Sequence, residues 1–299
     1  MGVAAGKSAG EERWAFRPGG RDPIVGEPLV IDGSVFFTRG DTLYEVDRET
    51  GKLLWSRVFV PRKGLARFLP RRGSLRLESE HGIPLLSRRG ALVVVSCRTP
   101  DGQFLDLAID VHHHRDHDPG PDFDPLAVWA PSGMKVDVED VASGHAPILQ
   151  ATDRSGAPLW DSRWAIGDGF EAAEWISAIG RPVIGREQLI FGICETTLQR
   201  GAPVGYRLFA LRLADGAPRW RQQNRAGDLE ITSLGFDGVS FWIVVRQRDG
   251  TPLLRFLDSE SGGTRSEARF PGLTGGVAIE DGILYGGFGR SFVAVELTL

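Results

Sequence analysis

The fold of this chain is decided by the runs Val30-Ile31-Asp32-Gly33-Ser34-Val35-Phe36-Phe37 and Leu43-Tyr44-Glu45-Val46-Asp47-Arg48-Glu49-Thr50-Gly51-Lys52-Leu53-Leu54-Trp55. They predict short strands joined by tight turns, because Asp32-Gly33 is a turn dipeptide between two β-rich segments. Asp47 and Gly51 bracket a second turn, in which Asp accepts backbone hydrogen bonds and Gly adopts a positive φ. Trp55 lies in the strand that follows this turn.

The same pattern recurs along the chain, which indicates a repeat protein. Residues 208–220 overlay residues 43–55 without a gap, and residues 148–160 do so with one residue deleted from the turn. Residues 255–262 keep the Asp-x-x-x-Gly turn but lack the tryptophan. Looser copies are found at residues 104–110 and 292–296.

This pattern resembles the pyrroloquinoline-quinone (PQQ)-type β-propeller repeat, in which an Asp-Gly turn, a Leu-Tyr-Ala-Leu-Asp strand and Thr-Gly-x-x-x-Trp follow one another. Residues 28–55 match it best, and the match is weaker over residues 59–175. The resemblance implies an all-β fold, a single β-propeller of four-stranded antiparallel blades. Six copies predict six blades, with seven as the alternative if residues 59–175 contain another.

The two ends of the chain predict how the ring of blades is closed. The last copy stops after residue 296, and Trp14 lies in an N-terminal run that supplies the missing tryptophan strand. An N-terminal strand completing the C-terminal blade would cover exposed strand edges. We therefore expect a disordered leader at residues 1–10 and a single domain at residues 11–299, with loop insertions near 61–82 and 111–125.

Blade boundaries follow from the repeat. We expect the second blade to begin at residue 84 and to be closed by residues 126–129, and a short third blade at residues 135–160. The remaining blades are predicted at residues 21–59, 175–224, 228–270 and 273–299.

Composition excludes several classes of protein. The net charge of −4 argues against a polyanion-binding protein, so nucleic acid is not an expected partner. The sequence contains no apolar run of the roughly 20 residues that span a membrane, and no secretory signal, so we expect a cytoplasmic bacterial protein. Cys97 and Cys194 are too few for a disulfide framework or a thiolate metal site, and both are expected to be buried thiols.

A basic connector, defined by its arginines and single lysine, interrupts the repeat. It contains Arg62, Lys63, Arg67, Arg71, Arg72 and Arg76. Arginine forks bind phosphate and carboxylate groups, so these residues are candidates for binding a partner protein. The alternative is a solvated loop whose charges meet the acidic loop that comes later in the chain.

That later loop, residues 110–125, is rich in histidine and aspartate. His112, His114, Asp116 and His117 spell His-x-His-x-Asp-His, which resembles the zinc motif of metallo-β-lactamase-fold hydrolases. The resemblance implies a divalent metal that activates water. The further histidine ligands of that family are missing, which leaves three alternatives: a hydrolase, a metal site without catalysis, or a solvated loop dispensable for folding. The last is the expected one.

The PQQ-type repeat is also found in the quinone-dependent dehydrogenases, so we compared the chain with these enzymes. Those enzymes are about twice as long and use an adjacent cysteine pair, whereas Cys97 and Cys194 are far apart in this sequence. PQQ is therefore not an expected cofactor, and no catalytic residue is predicted. The function we expect is that of a non-catalytic propeller, a protein–protein interaction scaffold or accessory subunit of a larger bacterial assembly.

Overall fold

The computed structural model describes residues 10–21, 23–40, 42–58, 84–98, 104–120, 123–124, 126–139, 148–163, 175–196 and 203–298. In these residues the chain forms 24 β-strands, arranged as six four-stranded antiparallel sheets. The sheets are the blades of a six-bladed β-propeller, so the predicted fold class and blade number are confirmed. No helix in the described ranges is long and apolar enough to cross a membrane.

One compact unit consists of Gly10–Pro125 and Leu273–Leu297 and contains three blades. Blade 1 comprises β2 (Leu29–Ile31), β3 (Ser34–Arg39), β4 (Thr42–Asp47) and β5 (Leu53–Val58). Blade 2 comprises β6 (Leu85–Arg89), β7 (Leu92–Arg98), β8 (Phe104–Asp110) and β9 (Asp116–His117). Blade 6 comprises β22 (Leu273–Glu280), β23 (Ile283–Phe288), β24 (Ser291–Leu297) and the N-terminal β1 (Gly10–Phe16).

The N-terminal strand completes the C-terminal blade, as predicted. β1 pairs antiparallel with β24, with Trp14 opposite Ala294 and Phe16 opposite Phe292. Trp14 is buried, and its ring lies 6.1 Å from that of Tyr285. Phe292 stacks on Phe37 of blade 1 with ring centroids 4.0 Å apart, so aromatic packing joins blades 6 and 1.

The other compact unit contains Leu126–Gly272 and the remaining three blades. Blade 3 comprises β10 (Val128–Trp129), β11 (Lys135–Glu139), β12 (Ile148–Thr152) and β13 (Pro158–Asp161). Blade 4 comprises β14 (Trp175–Ile184), β15 (Gln188–Thr196), β16 (Pro203–Arg212) and β17 (Pro218–Gln223). Blade 5 comprises β18 (Asp228–Phe236), β19 (Phe241–Gln247), β20 (Pro252–Leu257) and β21 (Thr264–Arg269).

A buried ion pair lies among the apolar side chains of blades 4 and 5. Arg255 donates to both carboxylate oxygens of Asp228, at 2.6 and 3.0 Å, and Tyr206 donates to the same carboxylate at 2.7 Å. Burial by itself raises the pKa of Asp228, but these bonds outweigh it and leave the pKa below its ordinary value. The three groups satisfy one another, as buried charges must, and we assign them a structural role.

The boundary between blades 2 and 3 differs from the prediction. Residues 126–129 do not close blade 2, because the short strand β9 does so, with Ile109 opposite Asp116 and Ala108 opposite His117. Val128 and Trp129 instead form the first strand of blade 3, which therefore begins before residue 135. The tryptophan that marks the fourth strand of blades 1, 3, 4 and 6 is absent from β9, so the repeat gave no signal there. Residues 1–9 of the predicted leader lie outside the described residues, and its last residue, Gly10, begins β1. The single-domain expectation stays a prediction.

Candidate functional site at the boundary of blades 1 and 2

The turn that ends in glycine has the same backbone bond in blades 1, 4 and 5, from the glycine N–H to the carbonyl four residues earlier, and in blades 1 and 5 that earlier residue is aspartate. In blade 1, Asp47 accepts hydrogen bonds from the backbone N–H of Thr50 at 2.8 Å and of Glu49 at 3.2 Å. The N–H of Gly51 bonds to the carbonyl of Asp47 at 2.9 Å, and Gly51 adopts a φ of 67°. The hydroxyl and N–H of Thr50 stabilise the ionised carboxylate, which lowers the pKa of Asp47.

Tryptophans from the preceding blade pack on the glycines of these turns. Trp14 lies on Gly51, Trp160 on Gly216 and Trp220 on Gly262, and a Cβ on any of these glycines would lie 2.5 to 2.7 Å from the ring. Each indole Nε1 also donates to a carbonyl of the same turn at 2.9 Å. In these three turns glycine is therefore favoured for two reasons, its left-handed backbone and the tryptophan ring that covers it.

The turn of blade 2 keeps this backbone but replaces the glycine with histidine. His114 donates its N–H to the carbonyl of Asp110 at 2.8 Å and has a φ of 53°. Trp55 from blade 1 stacks on its imidazole, with ring centroids 4.7 Å apart and planes 8° apart. The N–H groups of His113 and His112 bond to the Asp110 carboxylate and lower its pKa to about 2. His114 thus stands in the glycine position of the repeat.

A second departure from the repeat faces this histidine. In three blades the residue opposite the tryptophan is alanine: Ala294 opposite Trp14, Ala151 opposite Trp160 and Ala210 opposite Trp220. In blade 1 it is Glu45, which lies opposite Trp55. The Glu45 side chain is only 7% exposed, and its two carboxylate oxygens accept bonds from His114 Nε2 and Ser34 Oγ, both at 2.7 Å. Glutamate and histidine have therefore replaced alanine and glycine as a contacting pair.

An ion pair also joins the same two blades. Arg57 of β5 contacts both carboxylate oxygens of Asp116 in β9, at 2.5 and 2.8 Å. This two-point geometry is the stronger form of an arginine–carboxylate contact, although both side chains are about one-third exposed. It gives blade 2 a second attachment to blade 1 besides His114.

The four residues of the predicted metal motif point to different partners. His114 contacts Glu45, Asp116 contacts Arg57, and His117 lies 3.9 Å from Asp110. His112 lines a cleft beside Glu45. Within the described residues, no three His, Cys, Asp or Glu side chains are grouped so as to hold a metal ion. Metal binding by this loop stays a prediction, and the expectation of full exposure fails at His114, which is half-buried.

The cleft beside Glu45 has a volume of about 200 Å³. It is lined by Ile31, Asp32, Gly33, Ser34, Phe36, Glu45, Val111 and His112. Sequence reasoning missed Glu45 and Ser34, because neither belongs to a known motif. The available signal was a misfit within the repeat, glutamate where the three copies named above have alanine.

A different surface feature lies at the edge of blade 1. Leu53, Leu54 and Val58 of the edge strand β5 are 41%, 49% and 54% exposed, and they are half of the six strongly exposed large apolar side chains among the described residues. The basic connector from Arg62 to Arg76 follows this strand in sequence but lies outside the described residues.

Comparisons with known proteins agree with the repeat. Residues 2–103, about a third of the chain, match the family model described as "Outer membrane protein assembly factor BamB". No curated protein matches the chain. Among solved structures, BamB from Moraxella catarrhalis is 18% identical, covers 92% of this chain and 86% of its own, and has a TM-score of 0.41.

Two further solved structures are similar to this chain. The quinohemoprotein alcohol dehydrogenase ADHIIG from Pseudomonas putida HK5 is 15% identical with a TM-score of 0.44, and 88% of this chain matches 44% of that one. The RRP9 WD40 repeats are 10% identical, with 99% of this chain and 100% of that one covered and a TM-score of 0.52. The predicted resemblance to a PQQ-like β-propeller is confirmed, in sequence over residues 2–103 and in fold over the described strands.

Proposed function

We propose that this protein is a non-catalytic propeller that binds a protein partner as an accessory subunit of a larger bacterial assembly. The match of residues 2–103 to a family model described as an assembly factor supports this role. The match includes the whole of blade 1, where the apolar edge strand lies. The cytoplasmic location expected from the sequence stays a prediction.

The observation that carries the proposal is the exposed apolar edge of β5. Natural proteins usually protect such edges with charged residues or proline, because an apolar edge strand pairs readily with other chains. The edge strands β17 and β21 follow this rule, since their exposed residues are polar or proline. An extended segment of a partner protein could add to β5 through backbone hydrogen bonds and cover Leu54 and Val58.

The basic connector extends this proposed surface. It follows β5 in sequence, and in this proposal Arg67, Arg71 and Arg72 bind acidic residues of the same partner. Charges at the rim of an interface speed association and select partners, whereas an apolar centre contributes most of the affinity. We therefore expect β5 to determine affinity and the connector to determine its dependence on salt.

The test is quantitative affinity purification from the source organism. We expect Leu54→Asp with Val58→Asp to remove a specific co-purifying protein without lowering the melting temperature. Leu159→Asp is the matched control, because Leu159 is 51% exposed and lies in the same bulge position before the tryptophan of blade 3. Retention of every partner by the Leu54 and Val58 variant would reject β5 as the surface. The triple change of Arg67, Arg71 and Arg72 to glutamate tests the connector separately.

A further inference from the structure

The boundary of blades 6 and 1 and the boundary of blades 1 and 2 are built from equivalent residues. At each one, the Asp turn of the later blade lies on the first hairpin of the earlier blade. Strand registers make Asp47 equivalent to Asp110, because each pairs with the first residue of the neighbouring strand, Ser34 and Leu92 respectively. Arg48 therefore corresponds to Val111, the next residue along.

The hairpins under these turns correspond as well. Glu280 pairs with Ile283 in blade 6 as Ile31 pairs with Ser34 in blade 1. It follows that Asp281 corresponds to Asp32, and Tyr285 to Phe36. Both aspartates have a left-handed backbone, with φ values of 51° and 50°, so the two hairpin turns bend alike.

At the boundary of blades 6 and 1, the guanidinium group of Arg48 lies between the Asp turn and the hairpin. Arg48 donates to the Asp281 carboxylate at 2.6 Å, to the Tyr285 hydroxyl at 3.1 Å and to Glu280 at 3.4 Å. Its side chain is 14% exposed, although that of Asp281 is 77% exposed. One arginine thus fills the space between turn and hairpin and binds the hairpin aspartate.

At the boundary of blades 1 and 2 the equivalent residue is Val111, which carries no charge and is several atoms shorter. The space that Arg48 fills in the first case is here part of the cleft of about 200 Å³. Its walls include the equivalents of the residues that bind Arg48, namely Ile31, Asp32 and Phe36. At the boundary of blades 6 and 1 both carboxylates, Glu280 and Asp281, belong to the hairpin. In the cleft Ile31 stands in the place of Glu280, and the second carboxylate is that of Glu45.

The charges of the cleft suit a cation. Glu45 is almost fully buried, and an ionised carboxylate has about four acceptor positions, of which Ser34 and His114 use two. Asp32 adds a second carboxylate, which lies 3.9 Å from the Arg88 guanidinium, with both side chains about half or more exposed. Arg88 therefore approaches from outside and does not fill the cleft. Apolar side chains of Ile31, Phe36 and Val111 suit an alkyl stem.

We propose that this cleft binds one guanidinium or ammonium group from another molecule, in the position that Arg48 occupies at the neighbouring boundary. A volume of about 200 Å³ is below the roughly 300–1,000 Å³ of a typical small-molecule site, so it suits a single side chain or small amine. The source is either an arginine or lysine side chain of a protein partner or a free alkylamine. The inference does not depend on the proposed docking at β5.

The first experiment measures binding of small probes to the full chain by NMR, through the imidazole signals of His112 and His114 among the six histidines. The probes are n-butylguanidinium and N-acetylarginine methylamide, and the neutral control is N-acetylcitrulline methylamide. We expect saturable shifts with the two cations, with a dissociation constant on the order of a millimolar, and none with citrulline. Binding of n-butylguanidinium alone points to a small free cation as the ligand, and binding of both admits a peptide arginine.

Two variants show whether the cleft itself is the site. Val111→Arg installs the equivalent of Arg48, so we expect it to raise the melting temperature and abolish probe binding. Glu45→Gln should weaken binding roughly tenfold, the effect of losing one charge-assisted contact. Arg48→Ala is the positive control and should create a second probe site beside Asp281. Absence of saturable binding in the wild type, equal binding of citrulline, or unchanged binding in folded Val111→Arg would each overturn the proposal.

Discussion

The pair Glu45 and His114 gives the sharpest test of the blade boundary. His114→Gly and Glu45→Ala restore the glycine and alanine that other blades have around the tryptophan. His114→Gly loses a charge-assisted hydrogen bond, about 1.5–3 kcal/mol, and a ring contact with Trp55, about 0.5–1.5 kcal/mol. It also relieves the strain of a non-glycine residue with a left-handed backbone, which raises the free energy of unfolding by about 1–2 kcal/mol. We expect a net loss of about 1–2 kcal/mol, because His114 is partly exposed.

The double variant separates a matched pair from two unrelated residues. Glu45→Ala should cost about 2 kcal/mol, since it removes the same hydrogen bond and the packing of a buried side chain. Because the bond is lost only once, the double variant should be about 2 kcal/mol more stable than the sum of the single changes predicts. His114→Ala should be about 1 kcal/mol less stable than His114→Gly, because alanine keeps the left-handed strain.

Urea unfolding of the wild type, both single variants and the double variant measures this coupling energy. The slope of the free energy of unfolding against urea must stay constant across the four proteins for the comparison to hold. Additivity of the two changes within about 0.5 kcal/mol would refute the argument that they were exchanged as a pair. Equal stability of His114→Gly and His114→Ala would refute the strain at residue 114.

Three further predictions concern other parts of the same unit. Trp14→Ala should lower the free energy of unfolding by about 3–5 kcal/mol, because a buried aromatic is removed from the strand that completes blade 6; an unchanged melting temperature in thermal unfolding would contradict this. The pKa of Asp110 is about 2 in the folded protein against an ordinary 3.8, so its contribution to stability is full above pH 3.8 and is lost as the pH falls towards 2. Asp110→Asn should therefore reduce the fall in the free energy of unfolding over this pH range, which urea unfolding midpoints measure. A chelator should leave the melting temperature unchanged, because Asp116 and His114 already contact Arg57 and Glu45; a large drop, together with stoichiometric zinc in the purified protein, would instead establish a structural metal site.

The sequence predicted the blades wherever the Asp turn and the tryptophan occur together. The strands around residues 43–55 and 148–160 and the closing role of Trp14 follow from a side-chain pattern that the backbone requires. The boundary of blades 2 and 3 was missed because β9 has two residues and no tryptophan. A strand that short is defined by its pairing within the sheet, here Asp116 opposite Ile109 and His117 opposite Ala108, and not by its composition.

The candidate site was only partly predictable, for a related reason. The run of histidines looked like a metal motif because one-dimensional spacing does not show that His114 has the left-handed backbone of a repeat glycine. Its partner Glu45 lies 69 residues earlier in the chain and is recognisable only by alignment against the alanines of the other blades. The correspondence of Arg48 and Val111 likewise needs the strand registers, since the residues around them differ in the two turns.

Photo-crosslinking in cells of the source organism tests the interaction role most directly. A photoreactive amino acid is placed at Leu54 in one variant and at the equivalent, equally exposed Leu159 in another. We predict one discrete crosslinked protein from position 54 and none from position 159. No adduct at position 54, or the same adducts at both positions, would contradict the account of blade 1 as the partner-binding surface.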